Sequence, residues 1–338
     1  VLKGMFLEGT VTGTGSYVAR TLGRNYYGNV RSYAVKTNLV KGATVTSTDI
    51  GGNNGVDINS LSDVTTNINA ADAVLDTYIG GDNDSDGYYW DYDENGVLVE
   101  KNTTDNPLIF NLTGAGTTAS PYQINNYEDL KMATQKLNMV YSINSDIDLS
   151  GKKFYMFGSV ANSFTGTIMG NQHTISNIEI NTPKASYMGF SGRNSGIIRN
   201  LNFTNANITG NEFIGIAAGK NDNKIIDVEV AGNVVGNNYV GLVTGQVGYD
   251  HSVVGVIAKG NVSGVSYVGG LAGHTDYFAV LKGMFLEGTV TGTGSYVSRT
   301  LGKNSSTIRS YAIKTNLLNG VTVTSTVIDS NNGADINN

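Results

Sequence analysis

The first 23 residues, VLKGMFLEGTVTGTGSYVARTLG, return as VLKGMFLEGTVTGTGSYVSRTLG at Val280–Gly302. The match continues past a one-residue deletion near Gly28, where RSYAVKTNL (Arg31–Leu39) meets RSYAIKTNL (Arg309–Leu317). The offset is 279 residues before the deletion and 278 after it. A repeat of this fidelity constrains the fold strongly, because one sequence must build one unit twice. The simplest reading is a tandem array in which residues 1–60 are the terminal coils of one copy and 61–338 are the next copy.

A shorter period runs inside the copy. Tyr187, Phe213, Tyr239, Tyr267 and Tyr296 open the runs YMGFSG, FIGIAAG, YVGLVTG, YVGGLAG and YVSRTLG, at steps of 26, 26, 28 and 29 residues. A second, strand-like series interleaves with it and begins at Ile178, Leu201, Val228, Val256, Met284 and Tyr311, at steps of 23, 27, 28, 28 and 27. Alternation with period 2 sends Ile178 and Ile180 to one face and Glu179 to the other. Two strands per repeat at nearly constant length predict a chain that coils, each turn stacked about 4.8 Å above the last. Leu201, Val228, Val256 and Met284 should then stand in one apolar file. No turn can bury its own face, so neighbours complete the core. The pairs Gly232-Asn233, Gly260-Asn261 and Gly288-Thr289 are expected between strands, as tight corners. Asn side chains stacked at corners could form amide ladders. A sandwich with strands at 8–12-residue spacing is the competing architecture.

Composition narrows the class. The chain has 44 Gly in 338 residues and 15% charged residues, against averages of about 7% and about 25%. A hydrophobic fraction of 40% supports a sizeable core and argues against disorder. With no Cys, disulfides and thiolate metal sites are excluded. A formal charge of −6 with 22 Lys+Arg argues against a nucleic-acid surface or an anionic membrane. No apolar run approaches the roughly 20 residues of a membrane span.

At Gly270-Leu271-Ala272-Gly273 the sequence resembles the GLUG-motif repeats of bacterial cell-surface proteins. These occur in adhesins and in non-catalytic regions of M26-type immunoglobulin A peptidases. The resemblance extends through SPYQINNYEDL (Ser120–Leu130), DIDLSGKKF (Asp146–Phe154) and FTGTIMGNQHTISNIEI (Phe164–Ile180) over most of 107–338. It implies an all-β chain, a right-handed parallel β-helix, on an extracellular bacterial protein. Two runs depart from the pattern: Gly241–Gly245 reads as carrying an inserted residue, and Ser298–Gly302 lacks the leading glycines. Looser or bent coils are expected there.

NYEDLKMATQKL, residues 126–137, is the one strong helical pattern, with Asn126 as N-cap and Leu130, Ala133 and Leu137 on one stripe. It is expected to cap the solenoid within 107–150, ahead of coils over 151–338. Residues 61–106, acidic and aromatic, read as the joint between copies.

Several constellations could carry chemistry. Asp82, Asp84, Asp86, the Tyr88 carbonyl and Asp93 follow the spacing of a calcium loop, with Gly87 at its sixth position and Asp at the twelfth where Glu is usual. A bound Ca²⁺ and a solvated acidic turn are the two readings. His173, His251 and His274 lie outside any metalloprotease pattern, and the resemblance brings no zinc site. Glu179 and Glu229 are expected in one outward column with Asn202 between them, about 10 Å apart. That spacing lies near the upper end of the range for an inverting glycosidase, about 6.5–9.5 Å, with no Arg or Lys beside the pair. The same column turns apolar at Ile257, Phe285 and Ala312, with Phe6 the copy of Phe285, giving a contact patch or a face covered by a loop. Taken together, the sequence predicts a non-catalytic structural or adhesive module, a stalk or fibre element. Its partners are neighbouring copies and a host or cell-surface ligand. A glycan-active β-helix enzyme is the alternative.

Overall fold

The computed structural model describes residues 110–160, 162–305, 307–313 and 316–337, together with the strands of residues 2–102 named below. Two compact units divide the chain, Val1–Leu108 and Ile109–Asn338.

The second unit is a parallel β-helix, nearly all β, with a single short helix among the described residues. Its principal wall stacks Ile197–Thr209, Lys224–Val235, Ser252–Gly264, Val280–Gly292 and Thr307–Ile313, each parallel to the next. Ala334–Ile336 closes one end of this wall, and Thr167–Met169, Val140–Ile143 and Tyr122–Ile124 extend the other. A second wall stacks Ser191–Asn194, Ala218–Asn221, Thr244–Val247, Ala272–Thr275 and Leu301–Asn304. A third stacks Glu212–Ile214, Asn238–Val240, Ser266–Gly269 and Val297–Ser298. Each full coil therefore has three pairing segments where the sequence pattern suggests two.

Registration is what the alternation predicts. Leu201 pairs with Val228 and Val256 with Met284, while Glu229 pairs with Ile257, which places Val228 beside Val256. All four side chains of this file are buried. Ile198, Ile225, Val253, Leu281 and Ile308 form a second buried file, and Phe203, Val230, Ala258, Leu286 and Ala312 a third. Each such side chain contributes about 1.5–3 kcal/mol by leaving water, and only the coils above and below make that burial possible.

The long strands bend rather than end at the glycine pairs. Gly260 has φ +138°, and a Cβ added there would lie 1.8 Å from the carbonyl oxygen of Gly232 on the adjacent coil. No side chain fits that corner. Asparagines line the next outward position as an amide ladder: Asn261 Nδ2 donates to Asn233 Oδ1 at 2.9 Å, and Asn233 Nδ2 to Asn207 Oδ1 at 3.0 Å.

The helix spans Tyr127–Ala133, four residues shorter at its end than the stripe to Leu137 suggests. Asn126 is the N-cap, its side chain accepting from the Asp129 N–H at 3.0 Å, and Leu130 and Ala133 are buried. Thr134 ends the helix: its backbone N–H bonds back to Lys131 and its hydroxyl donates to the same carbonyl at 2.7 Å. At the opposite end, Leu317–Leu318 and Val321–Thr322 pair antiparallel, which breaks the parallel pattern.

In the first unit, Leu2–Leu7, Val30–Val35 and Val56–Ile58 pair in parallel. The pairs Phe6↔Tyr33 and Ala34↔Asp57 reproduce Phe285↔Tyr311 and Ala312↔Asp335. The hairpin Leu39–Val40/Ala43–Thr44 reproduces Leu317–Leu318/Val321–Thr322. Tyr88–Tyr92 and Leu98–Asn102 form an antiparallel pair.

Candidate functional site

Each coil turns its glycine-rich corner at an aromatic residue held in the left-handed backbone region. Tyr187, Phe213, Tyr239, Tyr267 and Tyr296 have φ of 63°, 58°, 56°, 55° and 60°. An L-residue pays roughly 1–2 kcal/mol for this conformation. The glycines after it explain how the corner closes. A Cβ on Gly245 would lie 2.4 Å from the Tyr239 carbonyl oxygen and 2.6 Å from the carbonyl carbon of Phe213, and one on Gly241 2.6 Å from Ala272 Cα. The glycines let adjacent backbones touch, and the turn then projects the ring outward.

Those rings stack on one another along the solenoid. Successive centroids lie 4.5, 4.5, 4.6 and 4.8 Å apart, with interplanar angles of 15°, 3°, 17° and 28°. Beside the ladder runs a polar column, Arg193, Lys220, Gln246, His274 and Lys303, one residue per coil. Asp222 accepts from Arg193 Nε at 2.6 Å and faces Lys220 Nζ at 3.3 Å; Asp276 faces His274 at 3.3 Å and accepts from Gln246 at 3.0 Å. The Lys303 ammonium lies 5.0 Å from the Tyr296 centroid and 5.9 Å from that of Tyr267, within reach of a cation–π contact. Burial raises the hydroxyl pKa of Tyr187 and Tyr239 and lowers that of the His274 ring. Phe213, Tyr239 and Tyr267 are covered on both faces and Tyr296 at the end of the ladder on one, so along its inner length the ladder offers only edges and seals a corner rather than forming a platform for a ligand.

The outward column of the principal wall differs from the sequence expectation in two places. Asn202 pairs with Glu229, but its partner on the preceding coil is Thr174; Glu179 pairs with Asn207 instead. Glu179 and Glu229 therefore do not share a column, and the carboxylate pair required by the glycosidase reading is not assembled. Lys259, unanticipated beside Glu229, reaches it at 2.7 Å. Further along, Ile257 and Phe285 are exposed as expected, at 41% and 37%, but Ala312 is fully buried. Tyr311 takes the outward place and stacks on Phe285 at 5.1 Å and 12°. The cause is one residue: the left-handed Gly283 between Leu281 and Met284 has no counterpart between Ile308 and Ser310, so the last coil slips by one. Phe6 stands opposite Tyr33 in the backbone register of the other copy.

The two runs expected to be loose keep their registration: Ala218, Thr244, Ala272 and Leu301 stand in file. The apparent insertion in Gly241–Gly245 is the normal length of the corner. Where the glycines are lost, Arg299 points inward and is fully buried. Its guanidinium donates to the carbonyls of Val323 at 2.6 Å, Asn332 at 2.8 Å and Gly333 at 3.2 Å, and to Asp335 Oδ1 at 2.6 Å. Sequence reasoning missed this latch, although the arginine recurs as Arg20 and the aspartate as Asp57.

His173 and Asp146 lie 3.2 Å apart at a corner, and His251 is half-buried just ahead of the strand Ser252–Gly264. Among the described residues, no three His, Asp or Glu side chains come together as metal ligands, and no helix is long and apolar enough to cross a membrane. Of the calcium loop, Tyr88 opens the strand Tyr88–Tyr92; Asp82, Asp84, Asp86 and Asp93 lie outside the described residues.

No family model matches the chain. In sequence it is similar to halomucin of Haloquadratum walsbyi, 36% identical over 152 residues, which is 40% of this chain and 2% of halomucin. The chain thus spans a small fraction of that relative's length. Among solved structures, a candidate immunoglobulin A1 protease from Bacteroides ovatus superposes with a TM-score of 0.49, at 20% identity, over 66% of this chain and 84% of that one.

Proposed function

We propose that the chain is a non-catalytic repeat module of a long extracellular surface protein, which spaces binding surfaces from the cell and presents them. The observation that carries this reading is the duplicated register: strands built from residues 2–58 pair as do those built from 281–336, down to the hairpin that follows. Near-verbatim duplication of a stacked coil suits a component whose useful property is length. The similarity to a short stretch of the very long halomucin chain supports the same view. Continuous backbone pairing along the walls resists bending, while corner loops vary without disturbing the core.

Chains of one, two and four copies of the repeat, measured by small-angle scattering, test the spacer. A rigid array grows in maximum dimension in proportion to copy number. A flexible one grows roughly as its square root, so four copies would be only about twice as long as one. Square-root growth would overturn the spacer reading.

A further inference from the structure

Two adjacent coils carry a loop that the others lack. From the second wall to the principal wall, the chain takes three residues in the coils Asn194–Ile197, Asn221–Lys224 and Asn304–Thr307. The aligned steps Val247–Ser252 and Thr275–Val280 take five. The extra residues bring Tyr249 to one turn and Tyr277 and Phe278 to the next. These residues are 61%, 67% and 66% exposed, against 48% for Tyr296, the most exposed of the corner aromatics. The two loops are tied together: the Asp250 N–H donates to the Tyr277 carbonyl at 3.2 Å, and Tyr249 meets Phe278 edge to face at 5.4 Å. Asp250 and Phe278 both adopt left-handed backbones, φ 60° each. In a repeat fold, insertions confined to a few coils mark a binding face, and paired strain at the tips of exposed aromatic loops points the same way.

The size and charge of the surface select its occupant. Three rings of about 150–250 Å² each, two-thirds exposed, offer on the order of 300–500 Å². A stable protein partner takes about 800 Å² per side. Asp250, His251 and Asp276 adjoin the rings in the chain, and the exposed Lys224 stands opposite Ser252 on the preceding coil, so neither sign of charge dominates the rim and a neutral ligand is favoured. We propose that Tyr249, Tyr277 and Phe278 form a binding surface for a neutral glycan, one or two pyranose rings laying their C–H faces on the aromatics while the rim accepts their hydroxyl protons. The surface functions in this way whether or not the array is a rigid spacer.

Calorimetric titration of the whole chain with cellohexaose, mannohexaose and xylohexaose, and with an acidic hyaluronan hexamer, tests it. At least one neutral hexamer binds, and Tyr277→Ala and Phe278→Ala each weaken it tenfold or more with melting temperatures unchanged. Absence of neutral-hexamer binding, indifference to both substitutions, or a preference for the hyaluronan hexamer would overturn the proposal. So would sedimentation showing that the substitutions abolish self-association of the chain, since the occupant would then be a second copy.

Discussion

Phe213 and Tyr239 lie face to face on adjacent coils, centroids 4.5 Å apart and planes within 3° of parallel, each on a backbone that L-residues rarely adopt. The stack offsets the strain: a ring in the middle of the ladder has two partners, each contact worth about 0.5–1.5 kcal/mol beyond simple burial. Tyr239→Ala loses both contacts and keeps the strain. Tyr239→Gly loses the contacts but relieves the left-handed backbone, by more than the entropy that Gly adds to the unfolded chain. Chemical denaturation should therefore show Tyr239→Gly more stable than Tyr239→Ala by up to about 1 kcal/mol, with both below the parent.

The Arg299 latch carries its own test. Removing one partner of a buried, hydrogen-bonded ion pair costs about 3–5 kcal/mol, because the other charge is left buried. Asp335→Ala should lower stability by that order. Asp335→Asn, which keeps an acceptor toward the guanidinium, should lower it less. Unchanged stability in both variants would show that the carboxylate does not hold the end of the solenoid closed, and equal losses would assign the whole effect to its charge rather than to its acceptor geometry.

Two glycine substitutions separate strain from collision. Gly151 has φ +66° and open space around an added Cβ, so Gly151→Ala should cost about 1–2 kcal/mol. Gly260→Ala drives a methyl group into the Gly232 carbonyl, 1.8 Å away. It should cost several kcal/mol and reduce the yield of folded protein. Thermal melts of the two variants decide the matter.

His274 supplies a pH dependence. Burial is the first cause of its lowered pKa, and the nearby Lys303 acts in the same direction against Asp276. The unfolded chain therefore binds this proton more readily than the folded one, and the contribution of the neutral ring is fully present above the unfolded value of about 6.5. It is lost as pH falls from there toward the lower folded value. Melting temperature should fall between pH 7.5 and 5.5, and His274→Gln, matching Gln246 one coil away, should flatten that part of the curve.

For the acidic loop, the calcium reading predicts that chelator lowers the melting temperature of the chain and that Asp84→Ala removes the effect. Identical melts with and without chelator would leave a solvated turn.

Much of the solenoid was legible because stacking reduces it to two periodicities. The alternation around Leu201, Val228, Val256 and Met284 identifies one face, and the 27–28-residue step places one turn above another. The failures are failures of register. Thr174 faces Asn202 and Glu179 faces Asn207, each 28 residues on, so the 23-residue step from Ile178 to Leu201 joins two different columns. The missing counterpart of Gly283 turns Ala312 inward and Tyr311 outward. A period of 2 reports which residues share a face only until the next kink. Arg299 was illegible for another reason. An arginine among glycines reads as a break in the motif, and its partners lie 24–36 residues downstream in the closing segment.

Stacking in this register is the premise of every surface described, and cysteine pairing measures it directly, since the chain has no cysteine of its own. Adjacent parallel positions on one face suit a disulfide, whose Cα atoms lie about 4.4–6.8 Å apart. Oxidation should link Asn202→Cys to Glu229→Cys and Glu179→Cys to Asn207→Cys, and should leave Glu179→Cys with Asn202→Cys unlinked. A bond between positions 179 and 202, or none between 202 and 229, would contradict the register.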